Sequence, residues 1–169
     1  MKAPASQSRR SSAGAVTSEQ RLAVARPVVA PTPDGARDLG RVYWEEVERF
    51  TRGLVRSRVH PAGVELRFLG RAPLLRFGPP EVRAGAEVVV CRYAILGGAL
   101  ARAPGGAISF AQQGGPCPEL RSTISGFLPR LAARPGLPSW TGALYEQVQV
   151  RLHGAVGRRY FARLVREGA

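Results

Sequence analysis

The chain has 169 residues, 44% hydrophobic and 22% charged, with 20 glycines and 14 prolines. This is a globular composition rich in turns, and it excludes a fibre, a repeat array or a wholly disordered polymer. The formal net charge is +13, yet Lys2 is the sole lysine among the 25 basic residues, so coding bias toward arginine is the main source of the charge and a dedicated nucleic-acid patch is not required to explain it.

Residues 1–37 are Ser, Ala, Pro and Arg with few large apolar side chains, and are expected to form a disordered basic tail stiffened at its end by Pro27, Pro31 and Pro33. A single α+β domain is expected over 38–169. Asp38 is the expected N-cap of a first helix. Leu39, Val42, Tyr43, Val47, Phe50 and Leu54 recur at helical spacing, opposite Glu45, Glu46, Glu48, Arg49 and Arg52. The pairs Glu45–Arg49 and Glu48–Arg52 stand at i,i+4 in the favourable order, which marks that side as a solvated face.

After Pro61-Ala62-Gly63 the period switches to two. Val64, Leu66 and Phe68 alternate with Glu65 and Arg67 in a half-buried strand. Leu74 to Phe77 is a second strand, and Glu81 to Arg83 extends it or forms a short one of its own. Glu87 to Ile95 is the strongest, apolar on both faces and so expected to be central and covered on both sides. Ala107 to Gln112 and Glu119 to Phe127 follow, separated by turns at Pro104-Gly105-Gly106 and at Gly114 to Pro118. Five to six strands with short links and no intervening helix make an antiparallel meander. A long helix closes the chain from about Thr141 to Val165, with Leu144, Val148, Leu152, Ala155, Val156, Tyr160 and Leu164 on its apolar stripe. Arg158, Arg159, Arg163 and Arg166 lie toward its C-terminus, where cations complement the helix dipole.

The inventory of reactive side chains is thin. Asp34 and Asp38 are the only aspartates, His60 and His153 the only histidines, and Cys91 and Cys117 the only cysteines. A Ser–His–Asp triad, an aspartate-ligated magnesium site and an EF-hand lack their parts, and the dispersed Cys and His do not match a structural zinc site. No metal and no cofactor is expected, and strong acid–base catalysis is not expected either. Cys91 reads as a buried small hydrophobe and Cys117, between two prolines, as an exposed thiol. No apolar run approaches the roughly 20 residues a membrane span requires, and a cytoplasmic location is expected.

A meander closed by a long C-terminal amphipathic helix, with the glycine-rich stretches Leu96-Gly97-Gly98-Ala99-Leu100 and Pro104-Gly105-Gly106, resembles the helix-grip architecture of the START and birch-pollen-allergen superfamily, which includes polyketide cyclases. The resemblance implies a hydrophobic cavity between sheet and final helix that takes a lipid-like or polycyclic ligand. On that expectation the pocket is lined by Val88, Val90, Tyr93, Ile108, Phe110, Leu144, Val148 and Leu152. Arg92, the one charge on a strand face otherwise made by Val88, Val90 and Ala94, is the candidate anchor for a ligand carboxylate, because its planar fork binds such groups bidentately. The competing expectation is a binding protein for nucleic acid or an acidic partner, using the basic tail and the Arg158–Arg166 face.

Overall fold

The computed structural model describes residues 4–12, 14–129 and 154–168. Within them lie β1 (Ala5–Arg10), β2 (Val16–Ala23), α1 (Pro33–Phe50), β3 (Val55–His60), β4 (Gly63–Phe68), β5 (Ala72–Phe77), β6 (Glu81–Ala84), β7 (Val88–Gly97), β8 (Ala107–Gln113) and β9 (Glu119–Phe127), followed by a C-terminal helix α2 over 154–167. The nine strands form one antiparallel sheet in the order β1-β2-β9-β8-β7-β5-β4-β3, with β6 paired to part of β7. The α+β class and the helix at the C-terminus are as the sequence implies, but the sheet is larger than the five to six strands expected.

Two of the additional strands come from the segment expected to be a disordered tail. β1 and β2 form a hairpin, and β2 pairs along β9 from Ala23↔Glu119 to Val16↔Phe127. Only Gln20 and Leu22 of this hairpin are buried, so its stability comes from ladder hydrogen bonds to a strand already in place, not from apolar area of its own. Helix α1 also begins earlier than expected. Thr32, not Asp38, is its N-cap: the Thr32 hydroxyl accepts from the Gly35 N–H at 3.1 Å, and Pro33 supplies the fixed φ of the first turn. The helix stops at Phe50, so Leu54 is outside it and exposed, just ahead of β3. The first half of the expected final helix, with Leu144, Val148 and Leu152, lies outside the described residues.

One face of the sheet carries the core. Strand pairing places Val89 beside Gln112, Cys91 beside Phe110, Tyr93 beside Ile108, and Phe110 beside Ser122, all facing inward. From α1, Leu39, Val42, Tyr43, Trp44 and Val47 pack onto this face, and from α2 come Val156, Tyr160, Phe161 and Leu164. Each such side chain, fully buried, contributes about 1.5–3 kcal/mol of transfer free energy. Two glycines let the helices approach: a Cβ on Gly40 would meet the Tyr93 hydroxyl, and one on Gly157 would meet the Gln20 side chain. Gln112 fixes the crossing segment before α1, its Oε1 accepting from the Val28 and Val29 N–H groups at 2.6 and 2.9 Å.

The first half of the β3 edge is closed by α1, and Arg58, Val59 and His60 beyond it are exposed. The Glu48 Oε1 accepts both the Ser57 N–H and the Ser57 hydroxyl at 2.6 Å. The Thr51 hydroxyl accepts the Val55 N–H at 3.1 Å and reaches the Val47 carbonyl at 2.9 Å. Backbone donors that would face solvent on an edge strand are thereby occupied by side chains of the helix C-terminus.

Candidate functional site

The expected pocket residues divide between two faces of the sheet. Tyr93, Ile108 and Phe110 are buried on the inner face. Val88, Val90 and Arg92 share the opposite face, where the two valines are half-buried and Arg92 is exposed. Strand alternation makes this division unavoidable, because successive side chains on β7 point to opposite sides. Arg92 stands directly opposite Glu81 on β6, and its Nη1 donates to the Glu81 carboxylate at 2.7 Å. Its guanidinium is thus engaged by a surface acid on the outside of the sheet, away from Tyr93 and Phe110. Outward-facing Val88 and Val90 also show that β7 is not covered equally on both sides.

The inner face around Tyr93 and Phe110 is occupied by rings. Tyr43 packs on Phe110 at 4.5 Å between centroids, Trp44 on Phe77 at 4.9 Å and on Tyr93 at 5.3 Å, and Tyr160 on Tyr43 and Phe110 at 5.4 and 5.5 Å. Burial pushes the Tyr93 hydroxyl well above its ordinary range, and its hydrogen bond with Cys91 adds to the effect. Burial likewise raises the Cys91 thiol, against the smaller opposing effects of Tyr93 and the Gly40 backbone. Both groups stay protonated at neutral pH, so Cys91 is a packing residue and not a thiolate nucleophile. Cys117 is exposed, as its prolines imply.

A different constellation lies between the helices. Glu46 and Arg49 from α1 and Arg159, Ala162, Val165 and Arg166 from α2 line an open groove of about 530 Å³. The α1 residues are three apart, and the α2 residues follow the 3–4 spacing of one helical stripe, so each helix contributes one continuous strip. Ala162 and Val165 supply an apolar floor. Arg159 is held over the Phe50 ring at 5.3 Å, a cation–π contact that orients its guanidinium. Glu46 is 6% exposed. Among the described residues it has no hydrogen bond or ion pair, and neither Arg49 nor Arg166 has a carboxylate partner. The stem of Glu46 is buried while its carboxylate oxygens keep contact with water at the groove, where a donor on a ligand can reach them.

Other charges on the same helices are paired. The Arg163 guanidinium donates to Glu45 at 2.5 Å and to Glu167 at 2.6 Å, tying α2 to α1. Burial works against the Glu45 charge, but Arg163 and then Arg41 outweigh it and hold the carboxyl below its ordinary value. Arg41 is itself shared between Glu45 and Asp38. Arg49, Arg159 and Arg166 thus bring three guanidinium groups without carboxylate partners to one groove; nearby Arg52 and Arg158 are likewise without one among the described residues. Periodicity places Glu46 and Arg49 on a solvated helix face, and Arg159 and Arg166 belong to the arginine-rich stretch of the competing expectation. No helix of the described residues is long and apolar enough to cross a membrane.

No family model matches the chain, and no curated protein matches it. Among solved structures it is similar to CalU16 from Micromonospora echinospora, at 13% identity and a TM-score of 0.33, covering 98% of this chain and 91% of that one. It is also similar to DynU16, a putative protein in the dynemicin biosynthetic locus, at 18% identity and a TM-score of 0.32, covering 85% of this chain and 47% of that one. At these scores the likeness carries neither a fold nor a function across.

Proposed function

We propose that the protein binds a small amphipathic anion in the groove between α1 and α2, on an open helix-grip-like scaffold. The observation that carries this reading is the charge of the groove: Arg49, Arg159 and Arg166 line it without a carboxylate partner among the described residues, around an apolar floor and a glutamate, Glu46, that has no ion pair there. The ligand would place a carboxylate or phosphate against Arg49, Arg159 and Arg166, lay an apolar segment on Ala162 and Val165, and offer a hydroxyl or amine to Glu46. A volume of about 530 Å³ accommodates a molecule of ordinary ligand size. The alternative, an apolar cavity behind Tyr93, Ile108 and Phe110, would need Tyr43, Trp44 or Tyr160 to move aside, since their rings fill that space.

Calorimetric titration with decanoate, 10-hydroxydecanoate and 1-decanol tests the reading. Decanoate is expected to bind and decanol not to; the hydroxy acid should bind more tightly than decanoate, and that gain should vanish in Glu46→Gln. The double variant Arg49→Ala, Arg159→Ala should weaken decanoate by about tenfold or more, since a hydrogen bond to a charged group carries roughly 1.5–3 kcal/mol. Equal binding of acid and alcohol, or a double variant that binds as the parent does, would overturn the proposal.

A further inference from the structure

The outer face of the sheet has two halves of different electrostatic character. Toward β2, β9 and β6 the arginines Arg21, Arg121 and Arg92 are paired with Glu19, Glu119 and Glu81 respectively, and Arg83 on β6 has no carboxylate partner among the described residues. Toward β3, β4 and β5 the balance is lost. Arg56 stands directly opposite Arg67, and Arg58 and Arg76 flank Glu65 from either side. Glu65, the one acid there, is taken by Arg67 at 2.8 Å, and Arg67 also donates to the Gly70 and Arg71 carbonyls. Arg56, Arg58 and Arg76 are exposed and, among the described residues, without a carboxylate partner. Like charges directly across a ladder repel, so this arrangement costs stability unless an anion covers it.

The same corner holds the exposed apolar side chains. The large hydrophobics that stand in solvent, Leu54, Val59, Phe68, Leu69 and Leu96, are 44–70% exposed, and all belong to β3, β4, the segments beside them, or the far end of β7. Leu54 and Leu69 are joined by a backbone hydrogen bond of 2.8 Å that continues the ladder beyond Arg56 and Arg67. Leu96 adjoins Gly97, which pairs with Arg76. Leucines set among unpaired arginines match an interface with negative headgroups above and acyl chains beneath. A nucleic-acid surface fits less well, because the one exposed ring of this corner, Phe68, pairs with Val55 on the inner face and offers no stacking platform beside the arginines.

We propose that the outer face of β3, β4 and β5 docks the protein on an anionic lipid bilayer, with Arg56, Arg58 and Arg76 against the headgroups and Leu54, Leu69 and Leu96 at the acyl boundary. This site is separate from the groove between the helices and does not depend on it.

Co-sedimentation of the full chain with phosphatidylcholine vesicles, with and without 30% phosphatidylserine (roughly the anionic fraction that sets a cytoplasmic-leaflet surface potential), tests it. Binding to the anionic vesicles alone is expected. Arg58→Ala with Arg76→Ala should lower partitioning about 25-fold, at roughly fivefold per arginine near the surface. Leu54→Ser with Leu96→Ser should lower it at constant charge, with circular dichroism confirming that each variant is folded. Arg102→Ala with Arg158→Ala, an equal charge change elsewhere on the surface, should have a much smaller effect. Three outcomes would overturn the proposal: equal losses in the two arginine double variants, no effect of the leucine pair, or tight binding to duplex DNA with none to vesicles.

Discussion

Val89, Cys91 and Tyr93 alternate along β7 with Val88, Val90 and Arg92, and the two sets live in different surroundings. The first set is fully enclosed by the aromatic side chains of α1 and α2; the second is half-buried or exposed and ends in a surface ion pair. The two sets differ by one charge, Arg92, and otherwise by which side the helices cover: Val88 and Val90 are as apolar as Val89 yet only half-buried. Composition along a strand reports how much can be buried; only the second layer decides which half is.

The sharpest way to break that contrast is to hollow the inner side. Phe110→Ala on β8 should cost about 3–5 kcal/mol, measured by urea or thermal unfolding, because the rings of Tyr43 and Tyr160 cannot collapse into the gap without losing their own contacts. Gly40→Ala comes next. Helix propensity alone would favour alanine by about 1 kcal/mol. The new methyl meets the Tyr93 ring, and overpacking of about 1–3 kcal/mol should outweigh the gain. Tyr93→Phe in the same chain should recover part of the loss, and a stabilised single variant would show that α1 is free to lift.

The contact between the helices gives a pH signature. The Glu45 carboxyl is held below its ordinary value in the folded chain, so its contribution is complete above the unfolded pKa near 4.3 and is lost as pH falls through the folded value. Glu45→Gln should therefore destabilise at neutral pH and flatten the decline of stability below about pH 4.5. The effect will be small, since Glu45 is partly solvated. The smallest change belongs to the outer side of β7: Arg92→Ala should alter stability by no more than about 0–1 kcal/mol, the range of exposed ion pairs. A larger loss would mean that this side is covered in solution.

Much of the sheet is legible in the chain itself. Glu119 to Phe127 is read from alternation with its observed limits, and β4, β5, β7 and β8 within a few residues, because each carries a period-two pattern between turn residues. The hairpin of β1 and β2 escapes the same method. Its inward positions are mostly polar, with Ser6, Ser8, Ser18 and Gln20 beside only Val16 and Leu22, so hydropathy shows almost no alternation although the backbone is paired throughout. β3 is hidden for another reason: Leu54 prolongs the helical periodicity of α1 past Thr51, and the run Val55-Arg56-Ser57-Arg58-Val59 falls in its shadow. The groove was not legible at all as a site. Glu46 and Arg49 differ from Glu45 and Arg52 by no local pattern; they become a lining only because α2 lies alongside, and that is a fact of tertiary packing.

The clasp of Glu48 and Thr51 on β3 makes the last turn of α1 a guard against self-assembly. Were that turn to fray, the Val55 and Ser57 amides would be released together, offering a fresh template to a second chain. Resistance to polymerisation is thus tied to the integrity of one helix terminus, and the molecule's colloidal behaviour should follow the local opening of that turn before it follows global unfolding.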